Sequence, residues 1–112
     1  MADKVFVILS SGDREVALEV GLVYPFNAKK KGWMDEVKVI EFGPSQKVAA
    51  NDVEVQGKVK DLIGEGIEVL ACKRCADEIG ITEKLEAAGI KVVYVGSVIS
   101  GLLKEGWASL TF

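Results

Sequence analysis

A chain of 112 residues that is 49% hydrophobic and 28% charged has apolar side chains enough for a packed core and too many for a disordered segment, so a single domain over residues 1–112 is expected. A net charge of -3, with Lys29-Lys30-Lys31 as the one short basic run, excludes a phosphate-tracking surface for nucleic acid. No apolar stretch approaches the roughly 18 residues of a membrane span, and the absence of histidine removes Ser-His and Cys-His pairs and the commonest metal ligand.

Met1-Ala2-Asp3-Lys4 leads directly into the apolar run Val5-Phe6-Val7-Ile8-Leu9 without a secretory pattern, and a cytoplasmic location is expected. That run, bounded by Ser10-Ser11-Gly12, reads as a strand covered on both faces and the best candidate for a central strand. Asp13 or Ser11 caps a helix carrying Val16, Val20 and Val23 at helical spacing, widened by Leu18 and Leu22, and Pro25 is expected to end or kink it near its last turn. Residues 35–42 alternate Val37, Val39, Ile40 and Phe42 with Glu36, Lys38 and Glu41, the pattern of a less buried strand.

Gly43-Pro44-Ser45 breaks that strand. A weak helical piece over residues 45–50 follows, interrupted at Asn51-Asp52, before a firmer helix with Val55, Val59, Leu62 and Ile63 stops at Gly64-Glu65-Gly66. Residues 67–71 form a third strand. Residues 76–79 give a short helical turn, and Thr82 is expected to cap another that contains Leu85. Gly89-Ile90 leads into a fourth strand over residues 92–95, as apolar as the first; Gly96-Ser97 opens a helix with Val98, Ile99, Leu102 and Leu103, and residues 107–112 form a fifth strand.

Strands alternating with helices predict an α/β fold, a three-layer α/β/α sandwich around a five-stranded, mainly parallel sheet with right-handed crossovers. Sites in such sheets lie beyond the carboxyl ends of strands. Ser10-Ser11-Gly12, Gly43-Pro44, the segment from Cys72 to Cys75 and Gly96-Ser97 all fall on that edge.

The chemistry concentrates at Cys72-Lys73-Arg74-Cys75, where a buried strand runs into the first turn of a helix. A helix start favours thiolate through its dipole and unpaired N–H groups, and Lys73 and Arg74 are candidates for stabilising the anion. The thiolate is the form that attacks sulfur, and Cys75 is placed to resolve a mixed disulfide or persulfide on Cys72. Two small apolar residues packed under a loop is the plain alternative, and the spacing alone leaves both readings open. Two sulfurs without an imidazole fall short of a structural zinc site, so no metal is expected. A C-x-x-C after the third strand does not fit a thioredoxin arrangement, and no phosphate-loop pattern calls for a nucleotide or other cofactor.

Ala71-Cys72, then Gly80-Ile81, Gly89-Ile90-Lys91-Val92, Gly96 and the ending Gly106-Trp107-Ala108 resemble the DsrE/DsrF-like (YchN-like) family, most strongly over residues 55–112. The resemblance implies a parallel sheet between helices, a homotrimer or homohexamer, and sulfur relay. It implies a persulfide on the cysteine matching Cys72, exchanged with sulfur donor and acceptor proteins. Cys75 lies outside the general family pattern. Its presence keeps a second function in view, a redox-responsive binding module that toggles between a Cys72-Cys75 dithiol and disulfide.

Overall fold

Extended runs separated by glycine-stopped helices fold as their spacing predicts. The computed structural model describes residues 3–112; Met1 and Ala2, the head of the lead-in to the first strand, lie outside the described residues. Five strands, β1 (Lys4–Leu9), β2 (Glu36–Glu41), β3 (Glu68–Cys72), β4 (Lys91–Val93) and β5 (Ala108–Thr111), form one all-parallel sheet in the order β4-β3-β2-β1-β5. The first crossover contains α1 (Arg14–Val16), a π-helical segment (Ala17–Gly21) and α2 (Val23–Lys30). The second contains α3 (Ser45–Asn51) and α4 (Val53–Gly64), the third α5 (Lys73–Ile79) and α6 (Thr82–Ala87), and the last α7 (Val95–Lys104).

Alternation along the strands sends side chains to two unequal cores. Val5, Val7, Leu9, Val37, Val39, Val69 and Ala71 pack with Leu22, Val55, Val59, Leu62 and Leu85 on the face carrying most of the helices. Phe6, Ile40, Leu70 and Cys72 point the other way, onto Val95 and Leu102 of α7 and onto Trp107. Full burial of a side chain such as Phe6, Leu22 or Ile40 stabilises by about 1.5–3 kcal/mol, so both layers contribute, the α7 layer with fewer residues.

The same device stops the helices before β3 and β4. Gly66 and Gly89 adopt φ of 83° and 88°, where a side chain would be strained. The following N–H groups of Ile67 and Ile90 close back on the carbonyls of Leu62 and Leu85 at 3.1 Å. Each helix thus delivers an isoleucine to the core at the head of the next strand, which is why the two Gly-Ile junctions look alike in sequence.

Four expectations change. β1 is an interior strand as expected, but β2, expected to be less buried, is equally buried and stands in the middle; its charged residues are accommodated because Lys38 pairs with Glu68 on β3 at 2.9 Å and lies 5.7 Å from the Trp107 ring, while Glu41 is wholly buried. Pro25 neither ends nor kinks its helix. It stands in the first turn of α2, where its missing N–H has no intrahelical partner to lose, and the irregularity is upstream, where Leu22 N–H reaches back to Ala17 as a π turn. Gly21 sits in that π segment because a Cβ there would stand 2.6 Å from Leu9 Cδ1.

Thr82 is the first helical residue of α6 instead of its cap, because its hydroxyl donates to Asp77 Oδ1 at 2.6 Å. The fourth strand ends at Val93 as a half-exposed edge, and α7 begins at Val95, ahead of Gly96. The interruption at Asn51-Asp52 is real: Asp52 caps α4 by accepting from the N–H groups of Glu54 and Val55.

Candidate functional site

β3 buries Val69, Leu70 and Ala71 and delivers Cys72 to the carboxyl edge of the sheet. Cys72 keeps an extended backbone, φ -71° and ψ 115°, and stands as N-cap of α5. One helical turn on, the i,i+3 spacing brings Cys75 back beside it. Both thiols are free. Cys72 is 6% exposed and packed in the α7 layer, whereas Cys75 is half-buried and lines an open recess of about 240 Å³ with Gly43, Pro44, Lys47, Glu78 and Ile79.

The two sulfurs act on each other. Burial pushes the Cys75 thiol above its ordinary 9.0, and the hydrogen bond to Cys72 and the negative charge of Cys72 push it further. The Gly43 N–H and the charge of Arg74 oppose the rise without cancelling it. Cys75 therefore keeps its proton at neutral pH and presents it to the Cys72 sulfur.

Lys73 and Arg74 flank the pair in sequence but spend their charge along α5. Lys73 Nζ meets Asp77 Oδ2 at 2.9 Å, and that hydrogen bond raises the lysine's pKa. Arg74 Nε lies 3.5 Å from Glu78 Oε1. Such i,i+4 pairs on an exposed helix face are screened by solvent and contribute little. Of the two cations, Arg74 is the one whose charge reaches Cys75.

The carboxyl-edge turns separate in their use. Gly43 and Pro44 join Cys75 in the recess. Ser10 and Ser11 instead donate their N–H groups to the Phe112 carbonyl at 2.8 and 3.2 Å, tying β1 to the chain end, while Gly96 and Ser97 fall inside the first turn of α7. Among the described residues, no group of three or more Cys, Asp or Glu side chains is assembled to hold a metal ion, and no helix is long and apolar enough to cross a membrane.

Two residues went unnoticed in the sequence. Gln46, fully buried, accepts from the Gly43 N–H through Oε1 and donates to the Cys72 carbonyl through Nε2, both at 3.0 Å. Nothing local marks it. Glu41, also fully buried at the end of β2, has neither carboxylate oxygen hydrogen-bonded, because the nearby Ser45 hydroxyl donates to the Leu9 carbonyl. Its signal was legible, since the period of two puts Glu41 on the inward face with Val37 and Val39.

Comparison with known proteins supplies a lineage and little function. Residues 26–112 match the DsrE/DsrF-like family. A conserved protein of unknown function from Bacteroides thetaiotaomicron, BT1422, superposes with a TM-score of 0.92 at 28% identity, covering 98% of this chain and 95% of that one. MTH1491 from Methanobacterium thermoautotrophicum, also of unknown function, gives 0.76 at 20% identity over 97% and 98% of the two chains. The ychN protein of E. coli gives 0.75 at 14% identity over the full length of both, and these last two likenesses carry the fold alone. No curated protein sequence matches the chain.

Proposed function

The chain belongs to the DsrE/DsrF-like family, and on that premise we propose that it is a sulfur-relay type protein that carries sulfur as a persulfide on Cys72, with Cys75 as the resolving thiol. What supports the reading is one observation: two free thiols one helical turn apart at the carboxyl end of an interior strand, the outer one facing a recess. In loading, the Cys72 thiolate attacks the outer sulfur of a donor persulfide. The donor's S–S bond breaks as the Cys72 S–S bond forms, the donor leaves as thiolate, and no external oxidant is consumed. The half-buried Cys75 screens the loaded sulfur from water, and Arg74 adds the cationic field. Its partners in this role are a sulfur donor and a sulfur acceptor protein, met in the cytoplasm, where free thiols stay reduced.

Mass spectrometry after exposure to a low-molecular persulfide tests the assignment. The parent and Cys75→Ala are expected to gain one sulfur and Cys72→Ala none; a Cys72→Ala protein that loads like the parent sinks it. A homotrimer or homohexamer belongs to the same proposal. Tyr94 and Leu103 beside α7 and Leu110 on the edge strand β5 are exposed apolar groups suited to contact between copies. Size-exclusion chromatography with light scattering should return three or six times the 12.0 kDa chain mass. A monomer at micromolar concentration would remove the assembly.

The low exposure of Cys72 favours a second reading, a redox-responsive oligomeric binding module with a Cys72-Cys75 dithiol/disulfide switch, because an inner thiol in contact with an outer one is built to close on it. Mild oxidant would then form the intramolecular bridge and change oligomer size or partner affinity, with no stable persulfide. Oxidation that leaves both unchanged eliminates the switch.

A further inference from the structure

A primary amide buried without partners destabilises a fold by about 1–3 kcal/mol, so the use made of Gln46 is informative. Its side chain has no exposure to solvent and makes two hydrogen bonds, each to a backbone group at the carboxyl edge. The first partner, Gly43, stands two residues beyond β2 with φ of 83°. The second is the carbonyl of Cys72, the residue that ends β3 and caps α5. One side chain therefore clamps the turn after β2 to the turn that holds the thiols. Gly43 is itself a wall of the recess that Cys75 lines, and its N–H reaches the Cys75 sulfur as well as Gln46 Oε1.

We propose that Gln46 is the positioning residue of the thiol pair: by bridging the Gly43 N–H and the Cys72 carbonyl it holds the Gly43 turn against Cys75 and sets the reactivity of Cys75 beside Cys72. The inference rests on the reading of Cys72 and Cys75 as the working pair, and is independent of what the pair carries. Without the bridge, the glycine turn, which has no side chain of its own to anchor it, loses its register against α5. Cys75 then loses the one backbone donor that favours its thiolate. The burial and Cys72 charge that hold its proton remain.

Gln46→Met keeps the length of the side chain and removes both hydrogen bonds. The pH profile of Cys75 alkylation by iodoacetamide, assigned by peptide mass spectrometry, is the reading that a merely structural role would not move. Loss of one hydrogen bond to the sulfur is expected to shift the midpoint upward and slow alkylation at pH 7 about 3- to 10-fold. Gln46→Asn, an amide one methylene too short to span both partners, should shift the profile in the same direction, and provides the measurement if the methionine variant folds poorly. Gln56→Met is the control: Gln56 donates to the carbonyls of Ala49 and Ala50, away from the thiols, and its loss should lower the melting temperature without moving the Cys75 profile.

Coincident profiles for the parent and the Gln46 variants overturn the proposal, as does an equal shift from Gln56→Met. Sulfur loading of Cys72 is read in a separate experiment. Failure to load with a shifted Gln46 profile refutes the carrier function alone, and loading with an unshifted profile refutes the positioning role alone.

Discussion

Glu41→Gln is expected to stabilise the protein by about 3 kcal/mol at pH 7 and to raise Tm by roughly 10 °C, with no gain below pH 4.5. The argument starts from a carboxyl with no exposure and no hydrogen bond to either oxygen. Burial pushes its pKa from 4.5 to about 8, and the Ser45 hydroxyl, committed to the Leu9 carbonyl, does not relieve it. The folded state therefore holds the proton more tightly than the unfolded chain. Below the unfolded value both states are protonated and nothing is lost. As pH rises from about 4.5 the unfolded chain ionises first, stability falls, and the fall levels off once pH passes the folded value of about 8. Glutamine has the shape of the neutral acid and cannot ionise, so its variant escapes the whole fall. Urea melts at pH 4, 7 and 9 check the prediction: curves for parent and variant that stay parallel across that range would show that Glu41 is not the buried acid described.

That glutamate marks where the sequence could and could not be read. The apolar runs of β1 and β3, the Gly-Ile stops and the placing of Cys72 at a strand's carboxyl end follow from local chemistry, and local chemistry is visible along a chain. Strand order is not local. Glu36, Lys38 and Glu41 made β2 look less buried than β1, yet it is the middle strand and equally buried, because Lys38 finds Glu68 and Trp107 across the sheet and Glu41 is buried uncharged at neutral pH. Those compensations come from residues 30 or more positions away.

The site divides the same way. The Cys-x-x-Cys spacing was legible, and so was the neutralisation of Lys73 by Asp77 and of Arg74 by Glu78, since each pair is four apart on one helix. The Gln46 clamp joins groups 26 residues apart in the chain and has no signature in either segment. The greater exposure of Cys75 over Cys72 also depends on the recess that the β2–α3 turn supplies, a tertiary feature.

Release of sulfide from persulfidated protein is expected to be slow at pH 7 and to vanish in Cys75→Ala. In the proposed discharge, the Cys75 thiolate attacks the Cys72 sulfur of the protonated persulfide, Cys72–S–SH, whose proton leaves with the carried sulfur. The bond from that sulfur to the carried sulfur breaks, hydrosulfide leaves, and the two cysteine sulfurs remain oxidised as a disulfide, so the electrons balance within the pair. Only the thiolate attacks, and burial and the charge beside it hold Cys75 above 9.0, leaving at most about 1% thiolate at pH 7. Under the proposed function the raised pKa would make Cys75 a slow resolver at neutral pH, so that stored sulfur would pass to an acceptor thiolate by attack on the outer sulfur. An acceptor that displaces the recess wall at Gly43 or ion-pairs with Glu78, freeing Arg74, changes the environment that sets Cys75. Sulfide release from loaded parent and Cys75→Ala at pH 7 decides it. Equal release without Cys75 would mean that the second thiol does not resolve the first.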